Sequence, residues 1–264
     1  MIQTIRKAWG IPELRKKIIF TLLILLIFRI GNAITVPYVD VGLLETYLDQ
    51  MGGTILGLYN VMSGGAFAQA TVFALSIQPY INASIIIQLL TVAIPALERL
   101  SKEGEDGRKK LTRITRYTGA GIALALGIGY YFLLRGQGAL VYGSGAQMFA
   151  QVFSAIVVIL AFTAGSLLIQ WLGEQIDVKG IGNGISILIF AGIVSRWTSI
   201  FTTIKTWLGF AAGGEVKYYF LIPVFVVLAI SVIVFIVILN AAERRIPVQY
   251  AKRQVGRKMY GGQS

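Results

Sequence analysis

The chain has 264 residues, with 24 Lys and Arg against 12 Asp and Glu, a net charge of +12, and neither cysteine nor histidine. Hydrophobic residues make up 56% and charged residues only 14%, where a soluble chain carries about 25% charge, so the composition is that of a polytopic membrane protein. Without Cys or His there is no disulfide framework, thiol nucleophile, imidazole base or zinc site of the usual ligand set.

Residues 1–17 are basic, with Arg6, Lys7, Arg15, Lys16 and Lys17 against Glu13. The apolar run 18–36 is too long for the core of a signal peptide and contains Arg29, so it reads as a first transmembrane helix. Arg29 either partners a carbonyl or helix end, or snorkels to the outer surface. Residues 37–54 are acidic, with Asp40, Glu45 and Asp49.

Between Asp49 and Glu98 lie 48 uncharged residues. One crossing needs ~20, so the window is too long for one span and short for two. Gly52, Gly53, Gly57, Gly64 and Gly65 interrupt its first part, and Ser63, Ala66, Gln69 and Ala70 dilute it. The second part, 72–94, is aliphatic but carries Ser76, Gln78, Tyr80, Asn82, Ser84, Gln88 and Thr91. The pattern predicts a short, loosely held helix folding back into the membrane, then a full crossing whose polar residues face protein or water. Irregular backbone at membrane depth survives only when it is buried in protein or lines a cavity.

Residues 98–116 read as a charged loop with seven basic and four acidic residues, followed by a third span at 117–134. A Gly-rich loop at 135–147 leads to a fourth span at 148–172, a short turn at 173–184 and a fifth span at 185–201. Residues 205–217 are a polar connection, 218–240 a sixth span, and the tail 241–264 has six basic residues and one acid. With six alternating spans, one side collects nineteen Lys and Arg and the other only Arg135, Lys205 and Lys217. The positive-inside rule then places the N-terminus, the 98–116 loop and the tail in the cytoplasm.

The predicted spans contain no Asp, Glu or His, which argues against an ion-coupled transporter, although half-helix ends also bind ions. No phosphate loop, metal motif or nucleophile–base pair points to an enzyme. Ile77 and Ile81 lie four apart on the second span, and Ile185 and Ile189 four apart on the fifth; each pair shares a helical face. Isoleucines at this spacing are ordinarily packing or lipid-facing residues. Beside Gln78, Asn82, Ser84 and Gln88 they also suit a narrow apolar constriction between wetter segments. Spacing leaves both open.

The segments SIQPYINASIIIQLL, GEQI…GIGNGIS, KEGEDGRKK and RRIPVQYAKRQVGRK occur in one order along the chain. Together they resemble the SecY (Sec61 alpha) family of protein translocation channel subunits over essentially the whole length. The family has ten spans in two pseudo-symmetric halves of five, and this chain resembles its N-terminal portion. The resemblance implies an all-α polytopic bundle of six transmembrane helices plus a short re-entrant plug helix, N-in and C-in. The implied parts are a cytoplasmic N-terminus (1–17), a first channel half (18–204), an external connection with the first helix of the second half (205–240), and a basic cytoplasmic loop (241–264). Alone, the chain is expected not to form a complete channel.

The same resemblance assigns residues. Ile77, Ile81, Ile185 and Ile189 fall on the pore ring. Residues 54–70, with Gly57, Asn60, Ser63, Gly64 and Gly65, match the plug, whose glycines suit an element displaced at low cost. Asn82, Ile85 and Gln88 lie on one side of the lateral gate, where Gln88 is equally an ordinary interhelical hydrogen bonder. Arg244, Arg245, Lys252, Arg253, Arg257 and Lys258 would dock the motor ATPase SecA or the ribosome. Arg108, Lys109 and Lys110 are a weaker docking candidate, offset by Glu103, Glu105 and Asp106. The basic tail also reads as a solvated face that holds topology. The implied partners are SecE-like and SecG-like subunits, SecA or the ribosome, signal sequences, secretory polypeptides, the lipid bilayer and the missing C-terminal half; no cofactor is implied. The bacterial plasma membrane is the implied location. The rival from another class is half of a small-solute secondary transporter built on inverted repeats.

Overall fold

The computed structural model describes residues 10–50, 53–141, 148–215, 217–243, 253–255 and 258–260, the last two as backbone. Its helices are α1 (Pro12–Gly31), α2 (Val41–Gln50), α3 (Ile55–Met62), α4 (Gln78–Ala93), α5 (Pro95–Lys102), α6 (Glu105–Gly136), α7 (Met148–Lys179), α8 (Gly184–Ser195), α9 (Trp197–Ala212) and α10 (Lys217–Ala241). A short antiparallel ladder, β1 (Arg253–Val255) with β2 (Lys258–Tyr260), lies in the tail. The protein is thus an all-α, membrane-spanning helical bundle. It divides into two units, residues 1–198 and 199–264.

In the first unit, α1 opens with Pro12, whose missing N–H is no loss in a first turn, and carries Glu13 at its start and Arg29 at its end, both suited to the helix dipole. Thr21, Ile24, Phe28 and Gly31 form its buried stripe. Beyond it the chain joins two distant segments: Val36 N–H donates to Ala70 O at 2.9 Å and Val72 N–H to Ile34 O at 2.9 Å, while Asp40 N–H donates to Ala139 O at 2.8 Å. The Asp40 carboxylate accepts from Gly42 N–H at 3.0 Å and so starts α2.

The predicted span at 72–94 is helical only from Gln78. Ala70 and Ser76 adopt positive φ of 44° and 51°, a left-handed conformation that no α-helix includes. The irregular chain around them is among the most buried in the molecule, with Ala66, Phe67, Ala70, Phe73, Ala74 and Leu75 all at 5% exposure or less. Its polar backbone is answered by side chains, as a buried irregular segment requires. Asn60 Oδ1 accepts from Ala68 N–H at 3.0 Å, and Ser63 Oγ accepts from Phe67 N–H at 3.0 Å. Ser166 Oγ donates to Ser76 O at 3.1 Å, and the Tyr130 hydroxyl donates to Phe67 O. Replacing Tyr130 with phenylalanine strands that carbonyl in the core. The expected cost is about 1–3 kcal/mol, read as a lower unfolding temperature of the detergent-solubilised protein.

The 16 residues of α4 rise about 24 Å. At Ile94 the chain turns by 102° into α5, because a residue before proline is driven out of helical geometry; Ile94 has φ −108° and ψ 113°. The predicted charged loop at 98–116 is therefore mostly helix. Gly104, at φ 76°, makes the turn between α5 and α6, and Glu105 and Asp106 suit the start of α6. The third span continues that helix without a break. Likewise α7 runs on to Lys179, so the predicted 173–184 turn shrinks to four residues before α8. Asn183 caps α8 through Ser186 N–H at 3.0 Å, and Asp177 Oδ1 accepts from Gly184 N–H at 2.7 Å. Ile181 N–H reaches back to Thr21 Oγ1 at 3.2 Å, tying the turn to α1.

Two cores result. One gathers Val36, Leu44, Phe67, Leu75, Tyr130, Leu134 and Phe162, with the Phe67–Tyr130 and Tyr130–Phe162 ring centroids 4.5 and 4.7 Å apart. The other gathers Ile24, Phe28, Phe73, Ile77, Ile169, Ile176 and Leu188.

In the second unit, α9 continues to Ala212, so much of the predicted polar connection at 205–217 is helix too. Trp207 packs edge-on against Phe225 of α10 at 5.8 Å, and Phe210 lies 5.5 Å from Tyr218. None of the α10 side chains is buried.

Four stretches among the described residues are long and apolar enough to cross a membrane: Glu105–Gly136, Met148–Lys179, Gly184–Ala212 and Lys217–Ala241. The bent α4–α5 pair makes a fifth if it counts as one span. In α1 the charge gathers at the two ends, with Arg15, Lys16 and Lys17 near its start and Arg29 near its end.

Candidate functional site

The four isoleucines converge on the second core. Ile77 is not on the body of α4; it is the residue capping it, 1% exposed. Ile81, Ile185 and Ile189 are half-buried and pack against the same cluster. Ile77 and Ile185 meet at Gly173 of α7, where a Cβ would stand 3.5 Å from Ile77 Cδ1 and 3.6 Å from Ile185 Cγ1. Gly173 lay in a predicted turn and was not singled out; the GEQI segment in which it falls was the signal for it. Ile77 is buried within this cluster, while Ile81, Ile185 and Ile189 are half-buried.

Within 54–70, α3 occupies Ile55–Met62 and the remainder is turns. Gly57 and Ser63 are buried, and Asn60 closes the turn through Ala68. Gly64 and Gly65 have φ of 71° and 92°, which glycine adopts without steric cost.

On α4, Asn82 is half-buried, and Ile85 and Gln88 are exposed. The Gln88 side chain makes no interhelical hydrogen bond among the described residues. It lines a polar cavity of about 320 Å³ with Ser84, Thr91, Ser101, Arg108 and Thr112. Of the loop cations, Arg108 faces this cavity, Lys109 lies 3.8 Å from Asp106 and Lys110 lies 3.2 Å from Glu103. Both pairs are exposed and contribute little to stability. Arg253 and Lys258 sit on β1 and β2; Arg244, Arg245, Lys252 and Arg257 lie outside the described residues. Arg29, at the end of α1, is exposed and lines a cavity of about 390 Å³ with Asn32, Gly64, Ala66 and Gln69.

One pair escaped the sequence reading. The Arg116 guanidinium grips the Glu174 carboxylate through Nε (3.2 Å) and Nη2 (2.5 Å), and Gln170 Nε2 donates to the same carboxylate at 3.2 Å. Both residues fall in segments predicted as loop and turn, and only the extension of α6 and α7 sets them face to face. Among the described residues no cluster of His, Cys, Asp or Glu suits a metal ion.

The fold and these features define a class, a multi-pass helical membrane protein with a buried, irregular segment between its first helices. The SecY family profile matches residues 71–264. The chain is 43% identical over its whole length to the protein translocase subunit SecY of Streptomyces coelicolor, covering 60% of it. It is 44% identical over 97% of its length to that of Escherichia coli strain K12, covering 56%. The chain therefore belongs to the SecY family, and it spans a little over half the length of these relatives. Its fold also resembles two solved structures. One is titled "The structure of a protein conducting channel" (TM-score 0.54, 20% identity, 97% of this chain and 57% of that one). The other is Sec61 in the canine ribosome–channel complex from the endoplasmic reticulum (TM-score 0.53, 21% identity, 94% of this chain and 54% of that one).

Proposed function

We propose that this chain supplies the N-terminal portion of a Sec-type protein-conducting channel in the bacterial plasma membrane. The channel passes unfolded secretory polypeptides and releases membrane helices through a lateral gate. Membership of the SecY family over the full length of the chain carries this reading; the packing of Ile81, Ile185 and Ile189 against one apolar cluster supports it locally. In it, six crossings alternate, with α1 as the first and α4 as the second, and the N-terminus and tail lie in the cytoplasm. The isoleucines form one side of an apolar waist that closes around the translocating chain and excludes ions. Residues 54–70 are the plug, and Asn82, Ile85 and Gln88 flank the gate. The channel is passive. Energy comes from SecA or the ribosome docked on the basic tail; a SecE-like subunit clamps the two halves and a SecG-like one binds at the side.

The absence of cysteine makes the test direct. A single cysteine at Ile81, in a channel completed by the remaining half and the SecE-like subunit, is challenged with a stalled precursor bearing one cysteine mid-chain. A disulfide that depends on the signal sequence and on SecA or a ribosome is expected. No disulfide from Ile81, Ile185 or Ile189, despite demonstrated SecA or ribosome binding, moves the pore away from these residues.

A further inference from the structure

We infer that Gly192 and Ser195 of α8 form the retaining contact that holds α3 in place, so that α3 alone, and not the whole of 54–70, is the displaceable part; this rests on the plug reading above. After Met62 the chain turns sharply through Gly64 and touches α8 backbone to backbone. A Cβ on Gly64 would lie 2.6 Å from Gly192 O and 2.7 Å from Ser195 Oγ, and one on Gly192 would lie 3.0 Å from Met62 O. The Ser195 hydroxyl is directed at two carbonyls, its own helix's Gly192 O at 2.7 Å and Gly64 O at 3.4 Å. From α4, Gln78 Nε2 reaches Met62 Sδ at 2.9 Å.

One face of α3 is open, with Ile55, Leu58 and Val61 73%, 58% and 44% exposed; on the other face Leu56 and Tyr59 pack against the first core, and the close backbone contact lies at the C-terminal end. Beyond Gly65, Phe67 packs against Tyr130 and its carbonyl is bonded, and Ala70 and Val72 are paired with the segment after α1. That part cannot leave without opening a core. Gly65, with a φ of 92° and nothing within 4 Å of its Cβ position, is free to act as the hinge between the fixed and moving parts. The fastening contains no ion pair: beside the close backbone contact it has the long Ser195–Gly64 contact, the Gln78–Met62 contact and the Asn60–Ala68 hydrogen bond, few enough for a seat that must release.

Bulk at position 192 should therefore unseat α3 in proportion to its size. In proteoliposomes holding the complete channel without precursor, Gly192→Val is expected to raise the resting chloride leak about tenfold, the factor that losing 1.4 kcal/mol of closed-state stability gives. Gly192→Ala should raise it less. Gly121→Val, at a helical glycine with nothing within 4 Å, should leave it unchanged. A parental leak in Gly192→Val, in a preparation where deleting 54–70 does leak, overturns the contact and leaves the plug reading standing. No leak in the deletion overturns the plug reading itself. If Gly192→Val fails to assemble, Gly192→Ala and Ser195→Ala carry the test, and a parental leak in both overturns the proposal.

Discussion

Replacing Gly165 with valine is expected to prevent the protein from assembling. Gly165 lies in the middle of α7, and a Cβ there would stand 1.8 Å from the Val72 carbonyl oxygen and 2.9 Å from Val72 Cγ1. The obstacle is backbone, and it cannot give way. Val72 N–H is bonded to Ile34 O at 2.9 Å, and the neighbouring Ser166 hydroxyl holds Ser76 O. Overpacking a core costs typically 1–3 kcal/mol when side chains can shift; here the irregular segment itself must move away from α7 and strand its polar groups. A loss of about 3 kcal/mol or more follows. The measurement is the yield and unfolding temperature of the detergent-solubilised channel. Gly121→Ala, in open space on α6, should instead be neutral or stabilise by up to about 1 kcal/mol, since alanine is the better helix former. An unchanged unfolding temperature for Gly165→Val would show that the contact between α7 and the 72–76 segment is not close.

The second large effect concerns the tail. Reversing Arg253, Arg257 and Lys258 to glutamate changes six units of charge in a segment that carries six basic residues against one acid. If SecA or the ribosome docks there, affinity at low salt should fall about tenfold or more. The difference from the parent should narrow as salt rises and the Debye length shrinks from ~10 Å at 0.1 M to ~3 Å at 1 M. Reversal of Lys109 and Lys110 should do less, because Asp106 and Glu103 already lie beside them. Equal affinity of the parent and the triple variant at low salt would remove docking from the tail and leave it a topology signal.

What could be read from the chain before folding was set by composition and by long ordered motifs. A hydrophobic fraction of 56% with 14% charge leaves only a membrane bundle. The sixth span, predicted at 218–240, matches α10 within a residue at each end, because an uninterrupted apolar run has one outcome in a membrane. Element ends fared worse wherever charge was taken as a sign of loop. Residues 105–116, 173–179 and 205–212 are all helical. A helix continues past the membrane surface as long as no residue breaks it, and Gly104, Pro95 and the 180–183 turn are what break it here.

Composition and ordered motifs alone identify a multi-pass membrane protein of the SecY family. Tertiary structure alone decided which of its polar and glycine-rich residues meet. Asn60 of α3, Tyr130 of α6 and Ser166 of α7, with Ser63 from the segment itself, satisfy the irregular 63–77 backbone. Arg116 and Glu174, 58 residues apart, form one ion pair, and Gly64 finds Gly192 across 128 positions. Hydropathy is a property of neighbours along the chain and survives in the sequence. Hydrogen bonding and close backbone contact between segments depend on how helices cross, and that is settled only when the apolar faces have packed.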